Sequence, residues 1–358
     1  MQFILLGTAV SLIVGLLLTP WVIDLFRSRG IGALIREDGP ATHFVKHGTP
    51  TMGGLVLLAA ATLGYIGGHV HVGGGVRFSG FTPGGILVLA VAWSLGLLGG
   101  IDDLAKIRRR RSLGLNKRAK IAGQTIIGFA LAYLAVQWTG ISTHITWAGT
   151  EISGLPSLPR IAFAVWVVFM IAATSNAVNL TDGVDGLASG SAAMAFFVLT
   201  IISFWEFRNA PVYPQLNPAG KSGLLDIAIV SASLLGACIG FLWWNAAPAR
   251  IIMGDTGSLA LGGALAALAL FSRTQLLLAV IGGLFVLETV SVILQVIAYR
   301  GFGGRRVFAM APLHHHFELR GWAEFTVIVR FWLIAALTAG LGLALYYIDF
   351  LGHGVLGP

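Results

Sequence analysis

Charge is scarce in this chain. Only 11% of its 358 residues are Asp, Glu, Lys or Arg, against roughly a quarter in soluble domains. That shortage excludes an ordinary water-soluble protein. Acids are scarcer than bases, 15 against 23, so each acid near lipid calls for a partner or a task. A single cysteine, Cys238, lies inside an apolar stretch, which excludes an internal disulfide.

Apolar sequence fills the rest, at 56% of all residues. A membrane-spanning helix needs about 20 mostly apolar residues. Ten segments qualify, near 3–25, 51–68, 85–101, 121–139, 161–178, 187–204, 224–244, 258–272, 276–299 and 325–347. The first is too long for a removable signal peptide and lacks its basic start and cleavage site, so it reads as a retained span. The expectation is an all-α integral membrane protein, one polytopic domain over residues 1–358. The outer segment 140–160 alternates around Ala148-Gly149, as either a small hairpin or an irregular loop does.

The bases order this bundle. With the N-terminus outside, the inner loops hold 17 of the 23 Lys and Arg residues, the outer loops five, and Arg330 lies in the last span. Positive charge concentrates on cytoplasmic loops, so both termini are expected outside. The net charge of +8 then belongs to anionic lipid and phosphate rather than to nucleic acid.

Five of the 15 acids fall in three glycine-flanked stretches: Asp102-Asp103, Asp182 with Asp185, and Asp255. The orientation puts all three inside, although they played no part in choosing it. Asp102 and Asp103 close the third segment, where two carboxylates oppose the helix dipole. Asp182 and Asp185, three apart, share a face if the turn is helical; the alternative is a capped tight loop. Asp255 sits just before the eighth segment, between Gly254 and Gly257. It suits either a plain helix cap or a phosphate site at a helix N-terminus. Clustered carboxylates with glycine turns point to Mg²⁺ and phosphate. His314, His315 and His316 are consecutive, so they diverge and do not share one tetrahedral zinc. They suit phosphate binding or proton transfer. Glu288, midway along the ninth segment, is either functional or part of a packed polar face.

The stretches Lys46-His-Gly-Thr-Pro-Thr-Met-Gly-Gly54, Asp102-Asp-Leu-Ala-Lys106, Asn179-Leu-Thr-Asp-Gly-Val-Asp-Gly-Leu187, Phe241-Leu-Trp-Trp-Asn245, Met253-Gly-Asp-Thr-Gly-Ser258 and Ala311-Pro-Leu-His-His-His-Phe-Glu318 stand in one order. Together they resemble the bacterial phospho-N-acetylmuramoyl-pentapeptide transferases, a branch of the polyprenyl-phosphate N-acetylhexosamine-1-phosphate transferase superfamily. The aspartate motifs mark the superfamily, and the first and last stretches mark the branch. The resemblance implies a ten-helix, often homodimeric enzyme of the bacterial cytoplasmic membrane, with its active site facing the cytoplasm. It implies transfer of phospho-MurNAc-pentapeptide from UDP-MurNAc-pentapeptide to undecaprenyl phosphate, giving lipid I and UMP, with Mg²⁺. Carried over, Asp255 binds the metal, Asp102 is a candidate base or metal-site group, Asp103 assists, and His314 joins the catalytic set. Lys46, Thr51, Lys106, Lys120, Asn179, Asp182, Asp185, Asn245, His315 and His316 meet the substrate. Two positions depart from the family's usual residues: Ile252 stands for phenylalanine and Ala309 for a frequent lysine.

Two other readings compete. A sister enzyme moving GlcNAc-1-phosphate shares the chemistry, but the histidine stretch argues against it. An ion-coupled transporter places its acids near the bilayer midplane, often with inverted repeats. Here the acids gather at one interface and no repeat is visible.

Overall fold

A computed structural model describes residues 1–32, 48–72, 76–109, 114–152, 154–210 and 221–354. In chain order the helices are α1 (Gln2–Ser28), α2 (Gly54–Gly68), α3 (Pro83–Arg109), α4 (Lys117–Thr139), α5 (Arg160–Thr181), α6 (Leu187–Arg208), α7 (Lys221–Asn245), α8 (Gly254–Phe271), α9 (Leu278–Ile281), α10 (Gly283–Gly301), α11 (Leu313–Leu319) and α12 (Glu324–Gly354). Between α2 and α3 lies an antiparallel pair, β1 (Val70–Val72) and β2 (Val76–Phe78), with Val70 opposite Phe78. Among the described residues, nine helices are long and apolar enough to cross a membrane, and the shorter α2 makes a tenth apolar segment.

The bundle is built around α8. Its sequence, GDTGSLALGGALAALALF, is apolar on every side, and sixteen of its eighteen residues are buried. A helix apolar all round belongs in the middle of a bundle. Small side chains let its neighbours approach to backbone contact. Gly54 of α2 lies against the Gly257 backbone, and Gly99 of α3 against the Asp255 carbonyl, where a methyl group on either glycine has no room. The outer helices turn large apolar side chains outward, as Leu17 and Trp21 of α1 and Ile126 and Tyr133 of α4 do. Buried hydroxyls bond their own helix: Ser11 to Gly7, Thr200 to Phe196 and Ser233 to Ile229. That satisfies them where no water reaches.

Among the boundaries that differ from the sequence expectation, three bear on the site or its supports. Helix α3 runs on to Arg109, so Asp102 and Asp103 sit inside it, about two turns before its end. Helix α8 starts at Gly254, so Asp255 is in its first turn. The ninth segment is broken at Gly282 into α9 and α10. Beside the break α10 packs closely on α12, since a Cβ on Gly283 would stand 2.7 Å from Thr338.

At the far end of α3 from the aspartates, the 140–159 segment makes a single bridge between Thr146 and Glu151. Trp147 N donates to Thr150 O across Ala148-Gly149, so the hairpin alternative holds at its tip. Nearby, Asp226 of α7 accepts bonds from the Tyr65 hydroxyl at 2.9 Å and the Thr82 N–H at 2.8 Å, and faces His69 Nε2 at 2.9 Å.

Candidate active site

Two helices packed antiparallel, side by side, make the site. The C-terminal part of α3 carries Asp102, Asp103 and Lys106, and the first turn of α8 carries Asp255. Asp103 accepts hydrogen bonds from Thr256 N at 2.9 Å, Thr256 Oγ1 at 2.8 Å and Asp255 N at 3.2 Å. The free N–H groups at the start of α8 are thus capped by a carboxylate from another helix, the favourable end for negative charge. Gly254, at φ 72°, makes this approach possible. A Cβ there would stand 2.6 Å from Asp103 Oδ2 and 3.1 Å from the hydroxyl of buried Thr51. Asp102 turns toward the segment before α4 and accepts Leu115 N at 2.7 Å.

Lysine sits at the centre. Lys106 Nζ lies 2.6 Å from Asp102 Oδ2, 3.4 Å from Asp103 Oδ1 and 3.2 Å from Asp255 Oδ1. Lys120 reaches the other Asp255 oxygen at 2.6 Å. It stands in the first turn of α4, a helix whose start is fixed by Asn116 capping Ala119 N at 2.7 Å. Asp102, Asp103 and Asp255 each offer one oxygen within 4.8 Å of the others. Three hard oxygen donors converging on one cationic point form a site that a divalent cation fits.

Asp182 follows the last residue of α5. Burial, then the charges of Asp255, Asp103 and Asp185, raise its carboxyl well above the ordinary carboxylate range. It therefore shares one electrostatic neighbourhood with the cluster. Asn179 is half-buried on the preceding turn. Asp185 and Asn245 are committed to the protein itself. Asp185 Oδ2 accepts Ala249 N at 2.9 Å. Asn245 accepts from Ser189 Oγ at 2.8 Å and donates to Ile251 O at 2.9 Å. Both shape the 246–252 segment that delivers the chain into α8. Lys46 lies outside the described residues.

The three histidines diverge as their spacing requires. His314 is buried, its Nδ1 3.1 Å from Glu288 Oε1, while Glu288 Oε2 accepts Leu313 N at 2.7 Å. The Nε2 of His314 points at Gly183, where a Cβ would overlap it, and His315 Nε2 borders the same glycine. His315 Nδ1 is held by Glu318 Oε2 at 2.7 Å. His316 Nδ1 accepts Ala309 N at 3.0 Å, on the other side of the helix. So α11 packs against the Asp182–Asp185 turn and joins the histidine stretch to the aspartates.

Sequence reasoning missed Thr256, Glu318 and Glu324, the last of which accepts Asp185 N at 3.3 Å. Thr256 and Glu318 stand inside the quoted stretches, Glu318 three residues after His315 on a short helix, and Glu324 left no signal.

The chain matches the family model described as glycosyl transferase family 4 over residues 85–273. It also matches the phospho-N-acetylmuramoyl-pentapeptide-transferase signature 1 over residues 46–58. A protein of Frankia casuarinae named phospho-N-acetylmuramoyl-pentapeptide-transferase is 51% identical over 360 residues, covering 99% of each chain. Proteins of the same name from Mycobacterium avium and Mycobacterium tuberculosis are 49% identical over 359 residues, covering 98% of this chain and 99% of theirs.

Proposed function

The chain belongs to the phospho-N-acetylmuramoyl-pentapeptide transferases, and from that premise we propose that it makes lipid I at the acidic cluster between α3 and α8. Phospho-MurNAc-pentapeptide passes from UDP-MurNAc-pentapeptide to undecaprenyl phosphate. An oxygen of the lipid phosphate ends bonded to the sugar-bearing phosphorus, the diphosphate bond breaks, and UMP leaves with the electron pair. One observation carries the reading: three buried or half-buried carboxylates and two lysines from three helices converge on one point at one end of a membrane bundle.

Phosphoryl transfer needs positioning and charge neutralisation more than covalent chemistry. Asp255, with Asp102 and Asp103, would hold Mg²⁺. When bound, the ion neutralises charge on the diphosphate and the departing UMP. Lys106 and Lys120, already drawn to these carboxylates, turn to the phosphates of the donor. Asp103 holds the start of α8 in place beneath them. Asp102 pairs with Lys106 at 2.6 Å, so Lys106 moving to phosphate frees a carboxylate oxygen to receive the lipid phosphate's proton or to attack. His314 and His315 present Nε2 toward the Asp182–Asp185 turn; half-buried His315 would meet donor oxygens, and buried His314 would act through that turn. Lys46, Thr51, Asn179, Asp182, Asp185, Asn245 and His316 complete or shape the donor site.

An apolar cavity of about 300 Å³ between α5, α8 and α10, with Trp166, Phe169 and Phe285 in its wall, suits a polyprenyl chain. The excess of basic residues on the loops beside the aspartates supports a cytoplasm-facing site in the bacterial inner membrane. The family resemblance supports a homodimer. The test is purified protein with undecaprenyl phosphate and Mg²⁺, offered UDP-MurNAc-pentapeptide or UDP-GlcNAc. UMP release from the first alone is expected. Release from UDP-GlcNAc alone would move the chain to the sister branch.

A further inference from the structure

We propose that the cleft between the C-terminal half of α10 and the 305–311 segment binds the peptide of the donor substrate, with Arg300 and Arg306 taking its terminal carboxylate. This rests on the reading above and extends it to the part of the substrate that the phosphate chemistry leaves out. The cleft has a volume of about 770 Å³ and is walled by Gln295, Tyr299, Arg300, Arg306, Met310 and Leu319 among others. That size is in the range of pockets that enclose a sizeable ligand.

Its place fits. The wall residues Ala309 and Ala311 lead directly into α11, and Ala309 N is bonded to His316. The other side of α11 carries His314 and His315 against Gly183. A donor with its diphosphate at the aspartates and its sugar by the histidines would reach this cleft by passing its peptide round α11. Five residues in extended form span at most about 18 Å.

The wall is held rigid. Gln295 Oε1 accepts both Val307 N and Phe308 N at 3.0 Å, and its Nε2 donates to Phe308 O at 3.0 Å. One side chain thus fixes the strand of chain that carries Arg306. Pairing backbone groups with a side-chain amide holds a loop that has no regular structure of its own.

Its charge is uncompensated. Neither Arg300 nor Arg306 forms an ion pair among the described residues, and the acids nearest in sequence are engaged elsewhere. Glu288 serves Leu313 and His314, Glu318 serves His315, and Glu324 serves Asp185. Two guanidinium groups beside an apolar and aromatic wall suit a carboxylate at the end of a short peptide, which they grip in a fork.

The test compares wild type and Arg300→Gln/Arg306→Gln, full-length, in phosphatidylcholine nanodiscs. Each is given UDP-MurNAc-pentapeptide and the same compound with its C-terminal carboxylate converted to carboxamide. Both arginines are exposed, so folding is expected to be normal. The expected result is a KM for the native donor raised tenfold or more in the variant, with the loss falling on KM rather than kcat. The carboxamide donor should show that raised KM already in wild type, and no further rise in the variant. Equal losses on both donors, or no loss, would overturn the proposal. So would a loss seen only when phosphatidylglycerol is added, because the arginines would then serve lipid. Wild type that releases no UMP from either donor would instead sink the functional reading and this one with it.

Discussion

Asp103 and Thr256 are bonded twice, through the threonine's N–H at 2.9 Å and its hydroxyl at 2.8 Å, both to the same carboxylate oxygen. The pair ties α3 to the start of α8 within one residue of Asp255. Thr256→Val keeps the shape and removes one of the two bonds. A hydrogen bond to a charged group is worth about 1.5–3 kcal/mol, so a fall in thermal stability of that order is expected. Because Asp255 is displaced with the helix end, turnover should fall several-fold with little change in donor KM. A variant as stable and as active as wild type would show that this tie does not position Asp255.

Asp255→Asn keeps size and loses charge. Charge stabilisation at a metal-assisted site is worth several kcal/mol, so kcat should fall on the order of 10²-fold or more. Mg²⁺ titrations of residual activity should shift to higher concentration in the same variant. Near-normal turnover would remove Asp255 from the metal role. Asp102→Asn should also be severe, and a mild effect at high pH would exclude Asp102 as the base.

Orientation is open to direct labelling, because the native Cys238 is buried and leaves a quiet background. A cysteine introduced by Arg305→Cys should resist a membrane-impermeant maleimide in intact cells and react after lysis. One introduced by Arg160→Cys should react in intact cells. The reverse pattern would put the aspartates outside.

His69 gives a pH dependence at the opposite end. Burial works against its charged form, but hydrogen bonds to Asp226 and the Tyr65 carbonyl and the Asp226 charge outweigh it, so its pKa is raised above 6.5. A raised folded-state value means that the stabilisation is complete below the unfolded value near 6.5. It is lost as pH climbs through the higher, folded one. Wild-type Tm should therefore decline relative to His69→Gln as pH rises from about 6 upward, narrowing the gap between them. A gap independent of pH would mean that His69 is neutral in the folded protein.

Ile252 is half-buried, and its backbone is fixed to the segment before α2 through Ile252 N to Pro50 O at 2.7 Å and Gly53 N to Ile252 O at 3.0 Å. It stands three residues from Asp255, beside the site proposed for the donor. Base–aromatic stacking is worth roughly 1–3 kcal/mol, so Ile252→Phe should tighten uridine nucleotide binding several-fold, mainly in KM. Calorimetry with UDP on both proteins checks this. Unchanged or weaker affinity in a folded variant would mean that position 252 does not stack on the base.

Composition and motif order alone set the class of the fold and the chemistry at stake. Ten apolar segments are legible because lipid admits long apolar helices and little else. The aspartates stand out because charge near lipid is costly and this chain has few acids to spend. Their common face followed from the lysines and arginines alone. Tertiary structure decided what no single segment encodes. Helix α8 is apolar on all sides, so nothing in its pattern says which side meets α3, and the Asp103–Thr256 tie depends on that rotation. The threefold contact of Lys106 with Asp102, Asp103 and Asp255 needs the last turns of α3 laid beside the first turn of α8. Glu288 looks the same in sequence whether it faces a neighbour or a site, and only the packing of α11 over α10 puts His314 above it. His69 and Asp226 are 157 positions apart in the chain, so their pairing is a property of which helices lie side by side. Local sequence fixes helix length and end chemistry through hydrophobicity and capping; rotation and adjacency come from packing summed over every neighbour.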